Sequence, residues 1–215
     1  MKPIVSVLLP TRGRSKALYE SISSLNTRAR KLENVEILLR RDNDDPTILR
    51  ELPSNVKIYM GRRYGYKNLH KYYNELCGKA TGRWLWIWND DFIVKTQNYD
   101  EILAQKFKFR LLTIKTNHSS RMVVGPLVPL KWYGILGHLS LNLHIDTWLG
   151  EIGRKLGIDD HVPISILHDR ADLTGNNRDQ TFEERDYDTR NFHKMRPIRA
   201  KEAQKIALST TIKQI

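Results

Sequence analysis

The stretch Trp84-Leu85-Trp86-Ile87-Trp88-Asn89-Asp90-Asp91 decides how the rest of the chain is read. Five large apolar residues run without a break and stop at two adjacent carboxylates. An unbroken aromatic and β-branched run fits a strand covered on both faces, because a half-exposed strand would alternate polar and apolar residues. Acids placed directly after such a strand lie at its carboxyl end, where ligands bind in open α/β sheets. A pair of carboxylates there can hold a hard divalent cation through oxygen, and the cation can hold phosphates. The competing reading is a polar turn that ends the strand and caps the next element.

Working outward, strands and helices alternate. Ile4 to Leu9 reads as a first buried strand, followed by the turn Pro10-Thr11-Arg12-Gly13-Arg14-Ser15, with Ser15 as the expected helix cap. Leu18, Ile22 and Leu25 mark one helical face. Val35 to Leu39 is a second strand, ending in Asp42-Asn43-Asp44-Asp45-Pro46, and Val56 to Met60 a third. Leu69, Tyr72, Tyr73 and Leu76 stripe a second helix that closes near Gly78. This β-α-β order implies an α/β fold with a mostly parallel sheet. Beyond Asp91 the alternation loosens. Phe107 to Ile114 and Met122 to Val124 read as strands, and Gly125 to Gly137 as an irregular loop rich in Gly, Pro and aromatics. Asp146 to Leu156 reads as a helix stopped at Gly157, and Val162 to Leu167 as a short strand leading to His168. Asn176 to Asn191 is polar and reads as a mobile loop, and Lys201 to Ile212 as a basic helix. The expected organisation is one domain over 1–192 with a basic C-terminal extension over 193–215.

The 215 residues suffice for one domain with a proper core, and 40% hydrophobic against 28% charged residues is ordinary for a globular protein. No apolar run approaches the roughly 18 residues of a membrane span. The N-terminus shows no secretory signal pattern, and the single cysteine, Cys77, excludes an internal disulfide. Both suit a reducing cytoplasm, that of the host if the protein is viral. Cys77 falls on the apolar side of its helix and reads as a core thiol. The net charge of +12 is less ordinary. Lys106 to Lys131 holds six basic residues and no acid, and Lys194 to Lys213 six more against Glu202 alone. Such clusters attract polyanions.

Taken in order, these pieces resemble the family-2 glycosyltransferases with the GT-A fold, a Rossmann-like, mostly parallel central sheet with helices on both faces. Val5-Ser6-Val7-Leu8-Leu9-Pro10-Thr11-Arg12-Gly13-Arg14 looks like that family's first strand and donor loop, Glu36-Ile37-Leu38-Leu39 with Asp42 like its second strand and base-contacting acid, and Asn89-Asp90-Asp91 stands where its D-x-D motif stands, with Asn in the first position. The resemblance covers roughly residues 4–170. It implies a nucleotide-sugar donor, a UDP-sugar, and a divalent cation, Mn²⁺ or Mg²⁺, that neutralises charge on the departing diphosphate. Asp91 is the implied metal ligand. His168 is similar to the family's C-terminal metal-binding histidine, and a histidine ligand leans towards Mn²⁺. Pro10, Thr11, Arg12, Arg14, Asp42, Arg63, Lys67, Asn89 and Asp90 are the candidate donor contacts, Asn89 still able to hydrogen-bond a hydroxyl.

An inverting transferase needs a base for the acceptor hydroxyl, and Asp146, at the start of a helix, matches the place such a base takes in this fold. Helix capping is its competing role. Trp132, Tyr133 and Trp148 could form a stacking wall for the acceptor, with core packing as the alternative. The charge favours hydroxymethylated cytosine in DNA as acceptor, gripped by Arg196, Arg199 and Lys201. A glycolipid or surface polysaccharide is the alternative, with the C-terminal helix lying on a membrane surface. That helix is poorly suited to this, because Ala203, Ile206 and Ala207 begin an apolar face that Thr210, Thr211 and Gln214 do not continue. Two other classes bear on the reading. A nucleotidyltransferase would carry a Gly-rich, Lys-bearing turn after the first strand, which Pro10 to Ser15 is not. A non-enzymatic nucleic-acid-binding module would have no use for Asp90-Asp91 after a buried strand.

Overall fold

The computed structural model describes residues 2–106, 109–118, 122–176, 183 and 190–211. Its strands are β1 (Val5–Thr11), β2 (Val35–Asp42), β3 (Val56–Gly61), β4 (Trp84–Ile87), β5 (Phe92–Val94), β6 (Leu111–Lys115), β7 (Leu127–Pro129) and β8 (Asp159–His168). Its helices are α1 (Ser15–Arg28), α2 (Leu69–Cys77), α3 (Tyr99–Ala104), α4 (Leu130–Leu136), α5 (Ile145–Leu156), α6 (Ala171–Thr174), α7 (Arg190–Lys194) and α8 (Arg196–Thr211). The strands form one sheet in the order β3-β2-β1-β4-β7-β6-β8-β5. β3, β2, β1 and β4 are mutually parallel, as are β6 and β8, while β7 and β5 run antiparallel to their neighbours.

The Trp84–Trp88 run is buried on both faces, and its alternation divides the core in two. Trp84, Trp86 and Trp88 join Val5, Val7 and Leu9 on one face, beneath Leu18, Ile22 and Leu25 of α1 and Tyr99 and Leu103 of α3. Leu85 and Ile87 join Leu8 and Leu38 on the other face, against α2, α4, α5 and α8. A buried indole N–H needs an acceptor. Trp84 Nε1 donates to the Leu103 carbonyl (3.3 Å), Trp86 Nε1 to the Gly125 carbonyl (3.0 Å) and Trp88 Nε1 to Ser21 Oγ (2.7 Å). These bonds lock β4, and with it the acids at its carboxyl end.

The second half departs from the sequence reading. Met122 to Val124 is not a strand, and Gly125 to Gly137 is not an irregular loop: it holds β7 and α4. The prolines that suggested a loop stand at element ends, where a missing N–H costs nothing. Pro129 closes β7 and is the N-cap of α4, with φ near −60°. The strand expected over 107–114 starts at Leu111, and residues 107 and 108 lie outside the described residues. β8 is longer than expected, and Phe92–Val94 forms an unforeseen edge strand beside it. Ser15 is the first residue of α1 and Arg14 its N-cap. The loop expected over 176–191 and the last residue of the basic helix, Ile212, fall largely outside the described residues. Among the described residues, no helix is long and apolar enough to cross a membrane.

The segment expected as an extension is packed into the fold. α8 starts at Arg196, five residues earlier than expected, and buries Arg199, Glu202, Ala203 and Ile206 against α5 and α4. Their i, i+3, i+4, i+7 spacing is one helical face. The apolar stripe of α8 is therefore already covered by protein.

Candidate functional site

The carboxyl ends of β1, β2, β4 and β8 meet at one cleft, lined by Pro10, Thr11, Arg12, Arg14, Asp42, Arg63, Gly65, Tyr66, Leu69, Tyr72, Asn89, Asp90, Asp91, His168 and Arg170. Asp91 and His168 are 77 residues apart in sequence but neighbours in the sheet. Phe92, the first residue of β5, pairs with His168, the last of β8, and the Asp169 N–H donates to the Asp91 carbonyl (2.7 Å). His168 Nε2 then lies 3.2 Å from Asp91 Oδ1, without hydrogen-bond alignment, and that oxygen is buried with no hydrogen-bond partner.

The two acids are held differently. Asp90 accepts a hydrogen bond from Thr11 Oγ1 (2.7 Å) and one from Arg14 Nη1 (3.0 Å). Arg14 Nη1 also reaches Asp91 Oδ2 (3.3 Å). Burial raises the Asp90 pKa; Arg14 pulls against it, Asp91 adds to it, and the net shift is upward. Burial also disfavours the charge on Asp91, but His168, Arg14 and Arg170 outweigh it and hold its pKa below the ordinary aspartate value. Of the two, Asp91 is the carboxylate whose neighbours favour its ionised form.

A divalent cation fits this pair. Two ligands at ~2.1 Å that subtend a right angle lie about 3.0 Å apart, close to the observed separation. Among the described residues no cluster of three or more His, Cys, Asp or Glu side chains is arranged to hold a metal. Two protein ligands still suffice for an ion that takes its other positions from diphosphate and water, as Mg²⁺ does when bound with phosphates.

At the far side of the cleft, Asp42 is buried at the end of β2. Its Oδ2 accepts from Tyr72 Oη (3.3 Å) and Arg12 Nη1 (3.3 Å), while Oδ1 has no hydrogen-bond partner. Tyr72 is itself fixed by the N–H groups of Tyr64 (2.7 Å) and Gly65 (3.1 Å). Asn89 is oriented from below, its Oδ1 accepting from Tyr73 Oη (2.8 Å), so its amide N–H₂ is the group left for a ligand.

Asp146 sits in the first turn of α5 but is not its cap, since His144 takes that place. Its Oδ1 is buried without a partner, and the Gly125 N–H bonds its carboxyl. Desolvation outweighs that bond and raises its pKa to about 7. Asp146 does not line the cleft, yet it lies close enough to act on the Tyr73 phenol together with Asp90 and Asp91. Gly125 has φ +57°, and a Cβ there would lie 2.9 Å from Phe92, the residue whose ring meets His168 edge-on. Only glycine fits this point, where Phe92, the residue after Asp91, touches the loop that bonds Asp146.

The model of glycosyl transferase family 2 matches residues 6–117, just over half of the chain. The chain belongs to glycosyl transferase family 2. No curated protein matches it. Among solved structures, TarS 1-349 of S. aureus in complex with UDP-GlcNAc superposes with a TM-score of 0.64 at 12% identity, over 94% of this chain and 66% of that one. The complex of the same TarS piece with UDP gives 0.58 at 14% identity, over 78% and 60%. The mannosyltransferase PcManGT from Pyrobaculum calidifontis, with GDP-Man and Mn²⁺, gives 0.59 at 11% identity, over 79% and 57%. At these identities the likeness is one of fold. The chain spans less than two thirds of the length of each of these solved chains.

Of the residues expected at the donor site of this family-2 fold, all line the cleft except Lys67. The expected acceptor wall needs correction. Trp132 and Trp148 are fully buried in the core that joins α2, α4, α5 and α8, because their faces complete the layer beneath α8, and neither is open to a ligand. Tyr133 is half-buried and packs against the same cluster. Arg199 is also buried: its Nε donates to Glu151 (2.6 Å) and its Nη1 to the Phe192 carbonyl (2.7 Å), while its guanidinium lies over the Phe192 ring. It joins helices and is not presented to an acceptor. Arg196 and Lys201 are exposed. Sequence reading missed Tyr72, Tyr73, Arg170 and His118. Tyr72 and Tyr73 carried a signal, since adjacent helical residues point about 100° apart and cannot serve one face. His118 belongs to no pattern in the sequence.

Proposed function

We propose that the protein is a metal-dependent glycosyltransferase that moves a sugar from a UDP-sugar, with inversion, to the hydroxyl of hydroxymethylated cytosine in DNA. The observation that carries the transferase reading is the convergence of Asp42, Arg14, Asp91 and His168 on one cleft at the strand ends of a family-2 chain. The Asp42 carboxylate, which lines the cleft at the end of β2, suits the N–H of a uracil edge. Arg14, Arg63 and Arg170 bring positive charge for a diphosphate. A divalent cation, Mn²⁺ or Mg²⁺, held by Asp91 and His168 would neutralise the charge that develops on the departing diphosphate. The relatives of like fold hold UDP, UDP-GlcNAc, or GDP-Man with Mn²⁺, which supports this donor class.

Asp146 is the base of this reading. A carboxylate with a pKa near 7 takes the acceptor hydroxyl proton at neutral pH far better than an ordinary aspartate. The acceptor oxygen bonds to the anomeric carbon as the bond from that carbon to the diphosphate breaks, and the proton ends on Asp146. The DNA acceptor is supported by the charge of +12 and by exposed Lys194, Arg196, Lys201 and Lys205 around α8. The apolar stripe of α8 is buried against α4 and α5, which leaves Ile198 and Leu208 as the exposed large apolar side chains among its described residues. The test is incubation with Mn²⁺ and a panel of nucleotide-sugars, with hydroxymethylcytosine DNA, lipid-linked and free sugar acceptors side by side. Transfer from UDP-sugar to the DNA is the expected result. Transfer to sugar acceptors alone replaces the acceptor by a glycolipid or polysaccharide, and metal-independent UDP binding removes the metal role.

A further inference from the structure

We infer that His118 is a positioning residue that sets the tautomer and aim of His168, turning the His168 Nε2 lone pair towards the place a cation takes beside Asp91. The inference rests on the proposed metal role of Asp91 and His168.

The geometry is specific to the two ring nitrogens. His168 Nδ1 lies 2.9 Å from His118 Nε2, within hydrogen-bond geometry, whereas His168 Nε2 lies 3.2 Å from Asp91 Oδ1 without it. A neutral imidazole has one donor and one acceptor nitrogen, so the proton belongs where a bond is made. Placing it on His168 Nδ1, donated to His118 Nε2, leaves His168 Nε2 with a free lone pair facing Asp91. His118 then carries its own proton on Nδ1. The opposite tautomer would point a proton at Asp91 and remove a ligand.

Asp91 favours a proton on His168 Nε2, one that a cation bound beside Asp91 would displace. The neighbours of His168 other than Asp91 and His118 hold its backbone and ring without choosing a tautomer. Asn117 brackets the His168 main chain, accepting from its N–H (2.8 Å) and donating to its carbonyl (3.1 Å). Phe92 meets the His168 ring edge-on, with centroids 4.5 Å apart. A phenyl ring and a main-chain bracket are blind to where an imidazole proton sits. His118 is the group bonded to Nδ1, the atom where the choice is made. The partner on the second ring nitrogen of a metal-binding histidine typically governs metal affinity by about 10–100-fold. His118 cannot be a ligand beside Asp91 in this arrangement, because its Nε2 is spent on His168.

The test is Mn²⁺ binding in the presence of UDP, read by electron paramagnetic resonance, for the wild type, His118→Leu and His118→Gln. Leu keeps bulk and removes the acceptor; the Gln Oε1 can accept from His168 Nδ1. The expected result is Mn²⁺ affinity about 10–100-fold weaker in His118→Leu and restored to within a few-fold in His118→Gln. UDP affinity without metal and melting temperature should be unchanged in both. Equal Mn²⁺ affinity in wild type and His118→Leu, or equal loss in both variants, overturns the role of His118 and leaves the donor site standing. Absence of Mn²⁺ binding by the wild type overturns the metal site and this inference with it.

Discussion

Buried carboxylates at the two ends of the parallel strands are treated in opposite ways. At the amino ends, Glu36 of β2 is saturated. Its Oε1 accepts from Ser6 Oγ, the Thr81 N–H and hydroxyl, and the Gly82 N–H, and its Oε2 from Lys57 Nζ. Gly82 is forced, since a Cβ there would stand 2.7 Å from the Ser6 nitrogen. Asp100 is likewise closed off by the Arg30 and Lys31 N–H groups and Asn34 Nδ2. At the carboxyl ends, Asp42, Asp91 and the nearby Asp146 each keep one buried oxygen without a hydrogen-bond partner. Arg40 lies 3.6 Å from the Asp42 oxygen and His168 3.2 Å from that of Asp91, ion-pair neighbours without a hydrogen bond. A buried oxygen that lacks a hydrogen bond costs about 1–3 kcal/mol when nothing else compensates it. The contrast predicts that Glu36 and Asp100 serve the fold and that the cleft acids Asp42 and Asp91 serve a ligand.

The sharpest break of that contrast is Asp91→Ala. Transfer should fall by about 10³-fold or more, the scale for losing the main electrostatic support of a leaving group, while the melting temperature stays near wild type. A variant that fails to fold would place Asp91 with Glu36 among the structural acids.

Asp146→Asn should lower turnover by about 10²-fold or more and leave UDP binding intact. Wild-type turnover should rise with pH through a midpoint near 7, following the raised pKa. The same shift makes a stability statement. The folded pKa lies above the unfolded one, so stability declines as pH rises from the ordinary aspartate range to about 7. Asp146→Asn should therefore melt higher than wild type at pH 8 and close to it at pH 4. Turnover in the variant that keeps the wild-type pH profile would move the base elsewhere.

Glu36→Ala should do the reverse of Asp91→Ala. It removes the acceptor of the Thr81 N–H and of Ser6 Oγ, while the Gly82 N–H keeps Ser6 Oγ, and should cost about 1–3 kcal/mol of stability, with UDP affinity of the folded protein unchanged. Burial opposes the charge of Glu36, but Ser6, Thr81 and Lys57 hold its pKa below the usual value. Its stabilisation is therefore present above the unfolded glutamate pKa and lost as acid takes the pH through the folded one. Chemical denaturation at pH 7 and pH 3 measures both points.

His168→Ala should be milder than Asp91→Ala, because water can fill one lost position, but should weaken Mn²⁺ binding at least as much as His118→Leu does, by about 10-fold or more. Calorimetry with UDP and Mn²⁺ reads this, and unchanged affinity would make His168 a partner of Asp91 only. The smallest effect belongs to the exposed basics. Arg196→Gln with Lys201→Gln should reduce the log–log salt slope of DNA binding by roughly 0.7–0.9 for each phosphate no longer neutralised, and spare UDP binding. Arg199→Gln should instead lower stability, because Arg199 is buried against Glu151 and Phe192.

The strands β1, β2 and β4, the helices between them and the acids at the end of β4 were legible because each is local. A strand buried on both faces must be continuously apolar, and the residue after it must lie at its end. The cleft at those ends follows from topology. Asp90 and Asp91 could be named on that ground, whereas Asp42 and Arg14 were named through the family resemblance. The second half was read less well where prolines and glycines at element boundaries looked like a loop, as at Pro129 and Gly125.

What only the tertiary structure decided is which distant groups meet and which polar atoms are left without a partner. No periodicity relates Asp91 to His168; the antiparallel pairing of β5 with β8 brings them together. Nothing local separates Trp148, buried beneath α8, from an open stacking platform, or Arg199, closed by Glu151, from a free cation. The same limit hid His118, whose partner is 50 residues away. Secondary structure is written in short-range patterns of side-chain polarity. Hydrogen-bond satisfaction and burial are sums over neighbours that the chain supplies only once it has closed on itself.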